Sequence, residues 1–212
     1  MKKILVGFLF LLGTISYSFA DSGLKAGVSL TAGYFETSAT EKENDETSAS
    51  KSAEGLGGIA SIFVEKEIGG LSLGVSYTPK AYETEETEHK QVDGGSTVTN
   101  KAQVDFTDLM TLYAIIRPND SGVYGKLGVM TVEVETNESL GTGSTYPDTD
   151  MDGVLVALGY DRDLDNGNFV RIEGSYMSLG GVTVTSSNNS DNSVTTDDVE
   201  GFGATISVGK SF

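Results

Sequence analysis

The sequence predicts an all-β fold, an eight-stranded antiparallel up-and-down transmembrane β-barrel over residues 21–212. Three observations predict it. Apolar residues recur at every second position along most of the chain, which gives strands two unlike faces. The connections between these segments are alternately long and short, so the long ones gather at one end of a barrel. The chain also opens with a leader for export, in which Lys2 and Lys3 precede the apolar run Ile4 to Leu12 and the small residues Ser18 and Ala20 flank Phe19. Cleavage is expected after Ala20, making residues 1–20 a signal peptide. The apolar run is shorter than the roughly 20 residues a spanning helix needs.

Strand one places Leu24, Ala26, Val28, Leu30, Ala32 and Tyr34 on one face and Lys25, Gly27, Ser29 and Thr31 on the other. Strand two sets Leu56, Ala60, Ile62 and Val64 against Ser61, Phe63 and Glu65. Strand three sets Leu71, Leu73, Val75, Tyr77 and Ala81 against Ser72, Gly74, Ser76, Thr78 and Lys80. Strand four runs from Val104 to Ile116, with Phe106, Met110, Leu112 and Ala114 on the apolar face. Asp108 interrupts that face, which a β-bulge or a position above the bilayer would accommodate. Strands five to eight continue the alternation, with Val123, Leu127 and Val129, then Val154, Val156, Leu158 and Tyr160, then Val170, Ile172 and Tyr176, then Phe202, Ala204, Ile206 and Val208.

Long polar loops are expected near residues 37–55, 83–101, 137–152 and 186–200. Tight turns are expected at Glu67-Ile68-Gly69-Gly70, at Pro118-Asn119-Asp120-Ser121 and from Asp163 to Asn168, all rich in turn-forming residues. A soluble β-protein also alternates, with its apolar face inward. Here the polar faces are rich in small residues and poor in charge, as in Gly203, Thr205, Ser207 and Gly209, which suits a narrow interior better than a solvated surface. Closure into a barrel also satisfies every backbone group in lipid.

Composition excludes several classes. Among 212 residues there is no Cys, so disulfides, thiolate metal sites, a cysteine nucleophile and a lipidated cysteine are ruled out. The formal net charge of -17 argues against nucleic acid, whose phosphates need Lys and Arg.

The last segment, from Gly203 to Phe212, alternates apolar residues and ends on an aromatic. It resembles the C-terminal signal of bacterial outer-membrane barrels, with Lys210 standing where an apolar residue is usual. With its eight strands and four long loops, residues 21–212 resemble the small OmpA-like, OmpX-like and opacity-type outer-membrane barrels. That resemblance implies the outer membrane of a Gram-negative bacterium, contact with outer-membrane lipid and lipopolysaccharide, and Phe212 as the signal read by the barrel assembly machinery. It implies a non-enzymatic structural, surface-interaction or adhesion role. A narrow porin-like diffusion channel for small solutes is the alternative.

Candidate chemistry is sparse. Barrel enzymes of the deacylase or protease type need an active-site His. The single His, His89, lies in Glu85-Glu86-Thr87-Glu88-His89-Lys90, which reads as a solvated loop, so no enzyme and no cofactor are expected. Asp148, Asp150 and Asp152, followed by Gly153, match the opening of a calcium loop, but position twelve is Gly159 where such a loop carries Glu. They are a candidate metal site set against a plain acidic loop. Lys25, Glu65, Lys80, Lys126, Asp161, Arg171 and Glu173 fall on the polar face, and buried charges of both signs are expected to pair and plug an eight-stranded lumen. Glu41 to Glu46 and Ser186 to Asn192 are low-complexity polar stretches that keep the outer surface hydrated.

Overall fold

Eleven antiparallel strands join into one sheet that closes on itself in the computed structural model. The structure describes residues 23–43, 46–84, 86–93, 96–118, 121–139, 144–165 and 167–212, so the leader lies outside the described residues. The strands are β1 (Leu24–Glu43), β2 (Glu46–Ile68), β3 (Leu71–Glu83), β4 (Thr87–Asp93), β5 (Ser96–Ile116) and β6 (Val123–Ser139). They continue with β7 (Thr149–Asp163), β8 (Asn168–Leu179), β9 (Val182–Thr185), β10 (Ser193–Thr196) and β11 (Val199–Ser211). Eight of them, β1, β2, β3, β5, β6, β7, β8 and β11, make the barrel wall. Closure comes from β1 and β11, paired from Lys25↔Ser211 to Glu36↔Glu200, with the Phe212 amide donating to the Leu24 carbonyl.

The faces are inside out relative to a soluble barrel. Leu30, Leu56, Ile62, Leu71, Leu73, Leu158, Phe202 and Ile206 are exposed on the outer face, while Phe63, Glu65, Ser72, Thr78, Arg171 and Ser207 are buried within. The short turns carry left-handed glycines, Gly69 at φ 65°, Gly122 at φ 82° and Gly167 at φ 77°, a conformation only glycine enters without steric cost.

At the other end much of the expected loops is strand, with residues 144–148 and 186–192 left outside the strands. β1 and β2 pair as far as Glu43↔Glu46, β4 folds back on β5, and the β9–β10 hairpin adds to the upper edge of β1. Their Thr- and Ser-rich alternation supports extended pairing, and these ladders satisfy backbone groups that a loop would leave to water.

The wall also changes polarity along its length. Towards the hairpin end Met130, Val132, Val134, Met151, Leu179 and Val199 turn inward and form an apolar cluster with Ala81 and Leu109. Alternation places their neighbours Thr131, Glu133, Asp150, Asp152 and Glu200 on the outside. Below this level the barrel is polar within and apolar without, and above it the order is that of a water-soluble barrel.

Two adjacent bulges carry β3 and β5 across this change. Register slips between Lys80 and Tyr82 and between Thr107 and Met110, where Asp108 adopts φ 51°. Of the two accommodations open to Asp108 in the sequence, a bulge is present, and it corrects the faces assigned beyond it. Phe106 packs against the inner cluster, Ala81 is buried inside, and Lys80 is exposed. One extra residue in a strand exchanges inward for outward.

The same region leaves a seam. The β2–β3 ladder stops at Ile62↔Tyr77, whereas β1–β2 and β3–β5 continue beyond it. Pro79 has no N–H to donate to a ladder. Tyr82 lies beside the break, so close to Gly57 that a methyl group there would come within 3.2 Å of its ring.

Candidate functional site: the barrel lumen

Inward positions on β2, β7 and β8 bring Glu65, Asp161 and Arg171 together. Arg171 donates through both terminal nitrogens to Glu65, at 2.6 and 2.9 Å, and lies 3.6 Å from Asp161. The Glu65–Arg171 pair is enclosed, with side chains 0% and 1% exposed. The bidentate fork is the strongest arrangement open to this pair and offsets the desolvation of both groups. Tyr113 adds a third donor to Glu65 at 2.8 Å.

The network extends to both sides. Lys126 meets Glu173 at 3.1 Å, and Lys25 at the short-turn rim lies 3.6 Å from Glu67 and 3.7 Å from Asp163. Arg117 joins it, donating to Asp161 at 2.6 Å and to Ser72 at 2.8 Å. Sequence reasoning missed Arg117 because it follows the last residue of β5 beside a turn, where strand alternation no longer assigns a face. Lys80 does not belong to the network. The bulge turns it out to an ion pair with Glu83.

Aromatic rings fill the space between the charges. The Arg171 guanidinium lies 5.2 Å from the Tyr124 ring, 5.3 Å from Phe169 and 5.6 Å from Phe63, and the Lys126 ammonium is 4.2 Å from Tyr113. Cations are attracted to such ring faces. Each ring is opposite an inward glycine in the pairing register: Tyr113 with Gly74, Tyr124 with Gly159, Phe169 with Gly209, Phe63 with Gly27. A methyl group on any of the four would come within 2.3–2.7 Å of the ring. The glycines noted in the sequence as small inward residues are the sockets for these aromatics.

Above this layer Ser61, Thr78, Thr111, Thr205 and Ser207 line a cavity of about 70 Å³, with Arg171 and Glu173 at its border. The apolar cluster closes it from the hairpin side, with Leu109 and Met130 in its wall. From the short turns upward, the lumen is therefore an ion-pair layer, a hydroxyl-lined chamber and an apolar layer.

Asp148, Asp150 and Asp152 do not form a loop. Asp150 and Asp152 stand on one face of β7, and Asp148, just ahead of it, accepts a hydrogen bond from the Thr136 amide. Extended backbone spaces alternate side chains by about 7 Å, too far apart to wrap one ion. Among the described residues no three His, Asp or Glu side chains are placed to hold a metal. His89 falls in β4 opposite Asn100, with its side chain outside the described residues.

Comparisons with known proteins bear on the fold. No family model matches the chain, and no curated protein matches it by sequence. Among solved structures it is similar to the outer membrane protease OmpT from Escherichia coli, at 10% identity over 94% of this chain and 100% of that one, with a TM-score of 0.52. It is also similar to the outer membrane protein AlkL in lipid bilayers, at 14% identity over 93% and 95%, with a TM-score of 0.50. The fold is that of a bacterial outer-membrane β-barrel. Neisserial surface protein A aligns at 17% identity over 90% and 98%, with a TM-score of 0.44. For an outer-membrane barrel the exposed Leu, Ile and Val belt is a lipid-facing surface, and Tyr34, Tyr77, Tyr176 and Phe202 mark its edge towards the hairpins.

Proposed function

We propose that this chain is a non-enzymatic outer-membrane barrel with a structural and surface role, and that its lumen is closed to water-soluble solutes. The observation that carries the reading is the enclosed Glu65–Arg171 pair, gripped between Phe63, Tyr124 and Phe169. A solute crossing the short-turn half would have to separate two charges whose side chains are enclosed by the wall and the aromatic rings. The acidic hairpins suit a hydrated outer surface that repels anions. Planar-bilayer conductance of the purified protein is the test. Wild type is expected to show no stable open level, and a steady ion current would overturn the closed reading.

A second reading rests on the seam. The apolar layer lies behind a stretch of wall where β2 and β3 are unpaired beside Tyr82. This favours small apolar molecules that leave the lumen sideways at the upper edge of the lipid belt, above the ion-pair plug. Tyr82→Ala is expected to speed uptake of an apolar dye into vesicles while leaving conductance at zero. Equal uptake with wild type, with Tyr82→Ala and with empty vesicles would dismiss this route.

A further inference from the structure

The edge of β2 at the seam leaves main-chain hydrogen-bonding groups outside any ladder among the described residues. The Glu67 amide donates to the Gly23 carbonyl at 2.7 Å, one step below the first register pair of β1 and β2. Bonded pairs of an antiparallel ladder recur at every second residue. The odd-numbered residues of β2 therefore bond to β1, and the even-numbered ones turn their N–H and C=O to the other side. There Ile68, Lys66, Val64 and Ile62 meet Leu71, Leu73, Val75 and Tyr77 of β3. The next partner in that register, for Ala60, would be Pro79. Pro79 has no N–H, and the bulge between Lys80 and Tyr82 bends β3 beyond it. Ala60, Gly58, Leu56 and Glu54 thus present their main-chain groups to the seam.

Depth makes this edge costly. Ala60 and Gly58 lie in the rows of Leu30 and Ala32, below Tyr34 and Phe202 at the upper edge of the belt. Lipid supplies no hydrogen bonds, and an open sheet edge is not tolerated against it uncovered. The usual protections of an edge are sparse here, with no Pro and a single Lys, Lys51, between Ser50 and Ile62. A methyl group at Gly58 would meet nothing within 4 Å. On the far side β3 and β4 follow one another along the same edge of β5, so the seam is a slot between β2 and these two strands. Exposed Glu54, Glu83 and Glu88 stand along its upper part, in a chain with 31 acidic residues against 14 basic.

We infer that the seam is a β-augmentation site, where an extended segment of a partner protein adds as a strand to Ala60, Gly58, Leu56 and Glu54. The segment runs antiparallel to β2, apolar where it enters the belt and basic where it passes the acidic hairpins. This rests on the surface role proposed above and on the hairpin end facing outward. A second copy of the chain fits less well. Upright in the same bilayer, it would set like residues at equal depth, whereas a parallel ladder needs its bonded residues offset by one.

The full chain folded in lipid nanodiscs tests this, with a synthetic peptide of about ten residues, the length of a membrane strand. Valine alternates with threonine in its first half and lysine with threonine in its second. The peptide is expected to bind and to slow hydrogen exchange at the Gly58, Leu56 and Glu54 amides. The Gly57 and Gly55 amides, on the β1 side, are expected to stay as they were. The same peptide N-methylated at alternate residues, so that it cannot donate to β2, is expected to bind at least about tenfold more weakly. Glutamate in place of lysine is expected to weaken binding as well. Equal binding of either altered peptide, or protection confined to β4 or β9, overturns the inference. So does self-association of the chain alone that protects the same amides, which would give the edge to a second copy. Conductance is read separately, so a leaky barrel that still takes up the peptide would refute the closed-lumen reading and leave this one standing.

Discussion

Arg171 combines full charge, near-complete burial and a position in the membrane half of the barrel, and it is tolerated because Glu65 takes both ends of its guanidinium. Arg171→Ala leaves Glu65 with Tyr113 as its remaining side-chain donor. The expected loss is about 3–5 kcal/mol, the range for breaking a buried pair, read as a lower denaturation midpoint in detergent. Arg171→Met with Glu65→Leu removes both charges and is expected to recover most of that loss. If the double variant is no better than the single, the pair is not the unit of stabilisation. The glycine sockets act at the same scale. Gly159→Val would push Tyr124 off its seat, 2.3 Å away from any added carbon, and is expected to cost more than Gly125→Val, whose added carbon meets open space.

At the scale of elements, the paired bulges on β3 and β5 let the sheet exchange a polar lumen for an apolar one. Asp108 holds its left-handed conformation with its carboxylate accepting from Tyr77 at 2.5 Å. Asp108→Val is expected to destabilise by about 1–2 kcal/mol, the penalty for a Cβ-branched residue forced into that region, while Asp108→Gly keeps the bulge. Equal stability of the two would show that the bulge relaxes. The β4–β5 hairpin depends on charge instead. Lys101 pairs with Glu86 and Glu88 at 2.7 Å each. Its hydrogen bond holds the Glu88 carboxyl below its ordinary value, and the two carboxylates raise the Lys101 ammonium. A depressed carboxyl stabilises above its unfolded pKa, and that contribution is lost as pH falls through the lowered folded value. Amide protection along β4, measured relative to the intrinsic exchange rate at each pH, is therefore expected to stay constant from neutral pH down to the ordinary Glu range, roughly 4, and to fall below it. A loss of protection that begins at neutral pH would assign hairpin stability to another group.

The whole molecule is closed by its two ends in the chain. β11 pairs with β1 over the full membrane height, and Phe212 completes that seam at the short-turn rim with the Lys210 ammonium 5.7 Å from its ring. Lys210, the departure from the usual terminal pattern, points outward at the rim, where a long side chain reaches the polar interface. Deletion of Phe212 is expected to lower outer-membrane assembly while export continues. Assembly at the normal level would remove Phe212 as the assembly signal.

The sequence by itself determined the class of fold, because alternation with period two and alternating connection lengths are local properties. Leu71, Leu73, Ser72 and Thr78 face where their positions in the pattern place them. It determined the leader-like start and the inward positions of Glu65, Lys126, Arg171 and Glu173 for the same reason. Tertiary structure decided what depends on register between strands distant in the chain. Which acid meets Arg171 follows from pairing summed around the closed sheet, and Arg117 enters because closure carries the end of β5 over the lumen. Lys80, Ala81 and Phe106 depart from simple alternation because one inserted residue inverts every face beyond it. The apolar layer is present in the sequence as a change of phase, from odd positions such as Leu127 and Val129 to the even positions Met130, Val132 and Val134. It acquires meaning only when eight strands bring such changes to one height, where water replaces lipid outside the wall and apolar side chains gain by turning inward.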